Sequence, residues 1–483
     1  MTWFSKFIGR TAEWLAPLAA LGVFVYIVQL GYANGGRWDL YEQLAMADRW
    51  PHSYGYTVGE KDGYIPSSVY FPGMSMLMIA FRALHLDSEP FVYVVAAWFG
   101  IGVIAVTFKF YRDLGGALSF FKYLGVGAAI GCLFLTTWIG YASEMKPDSA
   151  ALIAFLAGFW LLSRNRKTLV TTVIGLAFFI SAILLKQQIT ALVAVLAVSG
   201  LVCFRYRGWL HRGLVSLTAI GVAFLIVFAT PGALNFALLA HIGRGMVLAI
   251  DLGHYRILVG VALLAWTLVV LMRRGAPSLR ANFVMSHENT LYLVVALVWL
   301  IVGVAGNLNI GGNSGNLASG ILLLLPLIVI VFERSMTWLP NILILTAVAL
   351  LGIQLSSAHL GDLAESRIEQ GNFVRDRIAS LPAGSRILIS GQSYLSVRGL
   401  RNVRLSEIDA WGHLSLGAMK GLAARDVRNL LAKVSPAAVI CEEGCSAFAD
   451  LVPAMQSAGY KPVRDASGDG EPILYEGQPR TRD

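Results

Sequence analysis

Charged residues are scarce in this sequence. Asp, Glu, Lys and Arg make up only 14% of its 483 residues, whereas an average soluble domain has about 25%. The shortage is concentrated between residues 14 and 356, where most of the chain consists of apolar runs. Runs of about 20 apolar residues cross the roughly 30 Å hydrocarbon core of a bilayer as single helices. This composition excludes an ordinary soluble globular protein for that region.

Long apolar runs are missing from residues 357–483, and charged residues are common there. Short apolar stretches alternate with helical patterns; strands are predicted at 386–391, 437–441 and 473–475, and helices at 373–381, 424–434 and 448–458. This alternation predicts a small soluble α/β domain. The region lacks a phosphate-binding glycine motif, a catalytic triad and the G-x-S-x-G pattern, so we expect it to bind or position an acceptor.

Cysteine is also rare, with four residues in the chain. Cys132 and Cys203 lie in apolar runs and are typical of small core residues. Cys441 and Cys445 lie in the soluble region. If that region is outside the cytoplasm, they could form a short-loop disulfide, and two free thiols are the equally open alternative. A zinc site is not expected, because no His and no second Cys pair lie near them.

Eleven apolar runs predict eleven transmembrane helices, at 14–32, 90–108, 123–141, 148–163, 168–185, 188–204, 213–230, 256–272, 289–305, 316–332 and 339–356. No small-x-small cleavage site follows the first run, which is therefore expected to be a retained signal-anchor. With the N-terminus in the cytoplasm, the short inner loops hold 15 basic residues and the longer outer loops hold eight. This positive-inside pattern explains the net charge of +9, so nucleic-acid binding is not expected.

The predicted architecture is a polytopic α-helical membrane protein with two regions. Residues 1–356 form the transmembrane domain, which includes a large first outer loop at 33–89. Residues 357–483 form the α/β domain, placed outside because the number of spans is odd. In a bacterium this corresponds to the inner membrane, with the C-terminal domain in the periplasm.

The unusual polar residues cluster on the predicted outer side. They lie in the first loop and in four later turns: Glu144–Asp148, Lys186–Gln188, His241–Arg256 and Asn307–Asn316. Ionisable groups at membrane depth are costly, and they favour a functional role. The alternatives are that Lys186 snorkels to the headgroups and that Lys146 forms an ion pair within its own turn.

Four short motifs carry a resemblance to a known family. They are Asp39 after the first span, Tyr70-Phe71-Pro72-Gly73 before the second, Lys146-Pro147-Asp148 at the start of the fourth, and Lys186-Gln187 after the fifth. In the order of these motifs and in their placement on the predicted outer side, the sequence resembles the GT-C superfamily of membrane glycosyltransferases. It is most similar to the bacterial branch related to protein O-mannosyltransferases and lipid A aminoarabinose transferases. The match covers residues 14–190 in detail and is only architectural beyond them.

The resemblance implies an inverting transfer of a sugar from a polyprenyl-phosphate carrier to a glycan or lipid acceptor. Such a step needs a base for the acceptor hydroxyl and positive charge for the leaving phosphate. Asp39 is the candidate base, with Glu42 in reserve, although Asp39 also fits a helix N-cap. The candidate substrate-binding residues are Tyr70, Lys146, Asp148, Lys186, Gln187, Arg244, His254 and Arg256.

Three alternatives remain open at this stage. A divalent Mg²⁺ or Mn²⁺ ion could be held by Asp39, Glu144 and Asp148, but Leu40 stands where some relatives have a second acidic residue directly after the first. A polysaccharide polymerase or ligase, using a lipid-diphosphate-linked glycan, normally has its long outer loop later in the chain. A transporter is expected to show internal repeats or broken helices, and the sequence shows neither clearly.

Overall fold

The computed structural model describes residues 3–34, 40, 43–44, 47, 71–163, 168–203, 208–230, 287–307, 315–357, 359–390, 397–407, 431, 435–441, 451–463 and 474–477. The chain forms two compact units. The first comprises residues 1–31, 88–226 and 246–358, and the second comprises residues 32–87, 227–245 and 359–483.

The first unit is built from apolar helices. In chain order they are α1 (Trp3–Asn34), α3 (Glu89–Asp113), α4 (Phe120–Phe134), α5 (Thr136–Ser143), α6 (Pro147–Ser163), α7 (Leu169–Leu185), α8 (Ile189–Val202), α9 (Trp209–Ala229), α10 (His287–Asn307), α11 (Gly315–Ser335) and α12 (Leu339–Ser356). Within the described residues, five stretches are long and apolar enough to cross a membrane: 7–33, 89–113, 209–229, 288–305 and 339–356. The protein is therefore a helical membrane protein.

Helices occur at ten of the eleven predicted spans, while the span predicted at 256–272 lies outside the described residues. The number of membrane crossings stays a prediction, because several of these helices are shorter than a full span. Large side chains such as Tyr93, Phe155 and Trp299 are fully buried among the helices. Apolar residues including Leu169, Val173, Leu225 and Phe228 are exposed, as expected for side chains that face lipid.

The span predicted at 123–141 is not one continuous helix. Helix α4 ends before Leu135, whose φ of −121° and ψ of 44° depart from helical values, and α5 begins directly after it. The Trp138 N–H then bonds to the Leu135 carbonyl at 2.8 Å, three residues back rather than four. No proline stands at this point, so the break could not be predicted from the apolar pattern.

Glycine allows two pairs of helices to approach closely. A Cβ atom on Gly125 of α4 would lie 2.8 Å from the Ala16 backbone of α1. A Cβ atom on Gly200 of α8 would lie 2.5 Å from the Gly213 Cα atom of α9. Contacts of this kind are common between membrane helices, where backbone packing replaces the missing hydrophobic driving force.

Residues near predicted inner helix ends contact one another. The Tyr111 hydroxyl donates to Glu333, whose other oxygen accepts from the Ala117 N–H at 3.0 Å. Lys122 lies 3.9 Å from Glu13, and each of these residues is on the predicted inner side. The alternation of helix direction and the orientation in the membrane stay predictions.

The second unit contains helices α2 (Gly73–Ala83), α13 (His359–Ala379) and α14 (Leu451–Ser457). Its strands are β1 (Ser385–Ser390), β2 (Val403–Glu407), β3 (Ala438–Cys441), β4 (Lys461–Val463) and β5 (Leu474–Glu476). They form one sheet in the order β2-β1-β3-β5-β4. Strands β2, β1 and β3 are parallel, whereas β5 and β4 pair antiparallel, with Ile387 opposite Leu405 and Ala438, and Val439 opposite Tyr475.

The predicted strands at 386–391, 437–441 and 473–475 coincide with β1, β3 and β5, while β2 and β4 were not predicted.

Arg377 of α13 donates to Glu476 of β5 at 2.6 and 3.1 Å, and these hydrogen bonds raise the pKa of Arg377. Arg398 donates to the Asp87 carbonyl at 2.9 Å and to its carboxylate at 2.5 Å. The end of the first outer loop and the C-terminal region are thus joined by a double hydrogen bond.

Candidate functional site

A sharp reversal between α5 and α6 places Glu144 at the end of α5 and Asp148 at the start of α6. Met145 has a φ of +56°, a left-handed conformation that non-glycine residues rarely adopt. Pro147 is the first residue of α6, a position that suits its fixed φ and missing N–H. Asp148 follows in the first turn, where a negative charge is stabilised by the helix dipole.

Lys186 lies opposite Asp148 because α6 and α7 form an antiparallel pair. It is the residue that ends α7, and its extended backbone, with φ of −147° and ψ of 114°, stops the helix there. The Lys186 Nζ atom forms an ion pair with Asp148 Oδ1. Lys186 is 2% exposed and Asp148 is 7% exposed, so this pair is buried at one end of the helix pair.

A second acid–base pair lies in the same turn. Lys146 Nζ is 3.2 Å from Glu144 Oε2, and their side chains are 13% and 8% exposed. Lys146 therefore forms an ion pair within its own turn, as the alternative interpretation predicted. The snorkelling alternative for Lys186 is wrong, because that side chain points to a buried carboxylate rather than to the surface.

Two further polar groups lie two and four residues after Lys186. The Oε1 atom of Gln188 and the Oγ1 atom of Thr190 are buried and have no hydrogen-bond partner in the described structure. Gln187, which the sequence singled out, is half-buried. Thr190 was missed because a threonine inside an apolar run gives no functional signal. Uncompensated burial of such groups costs about 1–3 kcal/mol each, so a polar ligand would stabilise them.

Six sequence-predicted site residues lie outside the described residues: Asp39, Glu42, Tyr70, Arg244, His254 and Arg256. Their neighbours Leu40, Gln43, Leu44 and Ala47 are helical and buried, with the i, i+3, i+4, i+7 spacing of one helix face. Gln43 accepts a hydrogen bond from Ser75 of α2 at 2.7 Å. The start and the end of the first outer loop therefore pack against each other.

The described residues do not fit the hypothesised divalent metal. They contain no group of three His, Cys, Asp or Glu side chains that could hold an ion. Glu144 and Asp148, two of the three hypothesised ligands, each bind a lysine ammonium instead. The third, Asp39, lies outside the described residues, so the metal stays a hypothesis, and no chemical step is assigned to it.

No family model matches the sequence, and no curated protein matches it significantly. The GT-C resemblance therefore depends only on the short motifs given above. What the geometry adds is a buried group of two carboxylates and two ammonium ions at one end of apolar helices, which can hold an anionic or hydroxyl-bearing ligand.

Proposed function

We propose that this protein transfers a sugar from a polyprenyl-phosphate carrier to a glycan or lipid acceptor at the outer face of the bacterial inner membrane. The observation that carries the proposal is the buried Asp148–Lys186 pair at the predicted outer end of α6 and α7. Buried ionic groups in membrane helices mark substrate sites more often than they stabilise a fold. The order of the four family-like motifs supports the choice of chemistry.

In this proposal, Asp39 accepts the proton of the acceptor hydroxyl as its oxygen forms a bond to the anomeric carbon. The bond between that carbon and the carrier phosphate oxygen breaks, and the electron pair stays on the phosphate. One proton moves to Asp39, and one negative charge develops on the leaving group, so the step is balanced. Glu42 is the reserve base. The roles of both acids are inferred from the resemblance.

Lys186 stabilises the charge that develops on the phosphate. An ammonium group has three N–H donors, so it can bind a phosphate oxygen while Asp148 holds it in position. In a low-dielectric environment a fixed positive charge lowers the energy of a developing anion more than it does in water. Lys146 has the same chemistry and a side chain that is slightly more exposed. Arg244, His254 and Arg256 are further candidates for this role.

The first test compares Asp39→Asn with wild-type protein in nanodiscs. We expect sugar transfer to be lost while binding of undecaprenyl phosphate is retained, because the amide keeps the shape of the carboxyl group but does not accept the proton. Glu42→Gln tests the reserve assignment, and it should keep transfer if Asp39 is the base. Transfer at a near-wild-type rate in Asp39→Asn would show that Asp39 is only a helix cap.

The second test addresses Lys186. We expect Lys186→Ala to weaken binding of undecaprenyl phosphate and to slow turnover. Because this change leaves Asp148 unpaired, the double variant Lys186→Met with Asp148→Asn removes both charges together and keeps the site neutral. Wild-type carrier affinity in the folded double variant excludes a phosphate-binding role for Lys186.

A transporter is the second candidate, and the break at Leu135 between α4 and α5 favours it. Broken helices are common at the substrate sites of secondary transporters. Uptake by purified protein in liposomes, driven by an ion gradient, separates the two functions. A polymerase or ligase differs in its donor, so activity with lipid-diphosphate but not lipid-monophosphate sugars identifies that alternative.

A further inference from the structure

A second buried charge lies at the other end of α6. Arg212, in the first turn of α9, is 2% exposed. Its Nη2 atom donates to Glu288 Oε1 of α10 at 2.5 Å, and the other Glu288 oxygen accepts from Ser163 Oγ of α6 at 3.1 Å. Three helices therefore meet at this arginine. On α6, Ser163 lies about 22.5 Å along the helix from Asp148, given a rise of about 1.5 Å per residue.

The arginine is incompletely satisfied. Its Nε and Nη1 atoms are buried and have no hydrogen-bond partner within the described part of the chain. Together these atoms carry three N–H hydrogens, and arginine stays charged at any accessible pH. A buried guanidinium normally has an acceptor for most of its hydrogens, since an unmade hydrogen bond to a charged group is costly.

Ser216 is a second buried polar side chain near Arg212. It follows Arg212 by four residues on α9, which places both on one face of the helix. Ser216 is fully buried, and its hydroxyl also lacks a hydrogen-bond partner among the residues that the structure describes. Two neighbouring side chains thus present donors and no matching acceptor, so the complementary ligand group is rich in acceptors.

The charge of this region favours an anion. Glu288 is 38% exposed at its side chain, so solvent screens it, whereas the Arg212 side chain is only 3% exposed. In the sequence, the segments that follow Ser163 and precede Gly208 contain five lysine and arginine residues and no acidic residue.

Two aromatic rings cover the arginine. The Arg212 Cζ atom lies 5.6 Å from the ring centroids of both Phe159 and Trp209. Trp209 is the first residue of α9 and is half-buried, whereas Arg212 is almost fully buried.

We propose that Arg212 and Ser216 bind a phosphate group at this end of the membrane helices. Phosphate has only acceptor oxygens in its charged form, and arginine is the side chain best suited to it. The phosphate belongs either to an anionic lipid of the adjacent leaflet or to a soluble molecule. Basic clusters between helix ends are known to bind lipid headgroups in this way. This inference does not depend on the proposed glycosyltransferase activity.

The test measures the thermal unfolding midpoint of purified full-length protein in a zwitterionic detergent. Phosphatidylglycerol, phosphatidylcholine and inorganic phosphate are added separately. We expect phosphatidylglycerol to raise the midpoint by several degrees and phosphatidylcholine to leave it unchanged. Arg212→Gln should abolish the increase. Ser216→Ala should reduce the apparent affinity a few-fold, and it serves as the informative variant if Arg212→Gln fails to fold.

Arg334→Gln is the matched control, because Arg334 is an exposed arginine on the same predicted side, bonded to the Gly115 carbonyl at 3.2 Å. It should keep the full increase in the midpoint. An equal response to inorganic phosphate, also dependent on Ser216, supports the site with a soluble ligand as its source. The proposal is overturned if no phosphate compound raises the midpoint, or if Ser216→Ala and Arg212→Gln both respond like wild type.

Discussion

Helix α6 has buried charges near both of its ends, and the two ends differ. At the Asp148 end, Lys186 and Lys146 each have a carboxylate partner. At the Ser163 end, one Arg212 nitrogen binds a carboxylate, and the other two have no hydrogen-bond partner in the described ranges. The first end is electrostatically balanced by the protein itself. At the second end, donors of the buried arginine have no acceptor among the described residues, so a bound acceptor group would complete its hydrogen bonds.

The largest expected change in the free energy of unfolding comes from removing one partner of the Asp148–Lys186 ion pair. Lys186→Met removes a buried ammonium and leaves Asp148 as an uncompensated charge in an apolar environment. Loss of one partner of a buried pair costs about 3–5 kcal/mol, so we expect a decrease of that size in the free energy of unfolding. Reversible unfolding in mixed micelles measures it.

The double variant with Asp148→Asn sharpens this prediction. Most of the lost stability should return, because removing both charges also removes their desolvation cost. A double-mutant cycle then gives the coupling between the two residues. If Lys186→Met unfolds like wild type, the pair contributes nothing and the description of this end as a balanced buried cluster is wrong.

A smaller effect is expected where α8 and α9 meet near Arg212. In Gly200→Ala the new Cβ atom would lie 2.5 Å from the Gly213 Cα atom and from the Trp209 carbonyl oxygen. Both are backbone atoms, so the helices must separate, at a cost of about 1–3 kcal/mol. The same unfolding measurement applies, and the Arg212–Glu288 pair at this end should weaken with it.

Gly221→Ala is the control within α9, because nothing lies within 4 Å of its added Cβ atom. Its helix propensity improves by up to about 1 kcal/mol, so it should be neutral or slightly stabilising. Equal destabilisation by both alanine variants would mean that helix packing at Gly200 is not the cause.

The helices were the most predictable part of the structure, because an apolar run of membrane length is a strong local signal. The pairing of Asp148 with Lys186 was less predictable. Both residues were selected as candidates, and the turn sequences placed them on one side, but only the packing of α6 on α7 shows that they bind each other. The sequence alone left Lys186 equally suited to a phosphate or to the headgroups.

The features that could not be predicted depend on non-local geometry. The break at Leu135 has no proline to indicate it. Arg212 was counted only as one of 15 basic inner residues, because its burial results from Phe159, Trp209 and Glu288 on three separate helices. Strands β2 and β4 were missed because short edge strands have weak apolar patterns, and they form only by pairing with β1 and β5.

The smallest effect is expected from a lysine–aspartate pair that is chemically identical to the one at the start of α6 but exposed. Lys109 and Asp113 lie one turn apart on α3 with their side chains 44% and 41% exposed, and their charged atoms are 2.5 Å apart. Solvent screens such a pair, and the order of lysine before aspartate opposes the helix dipole. Lys109→Ala should therefore change the free energy of unfolding by less than about 0.5 kcal/mol. A loss comparable to that of Lys186→Met would show that burial does not distinguish the two pairs.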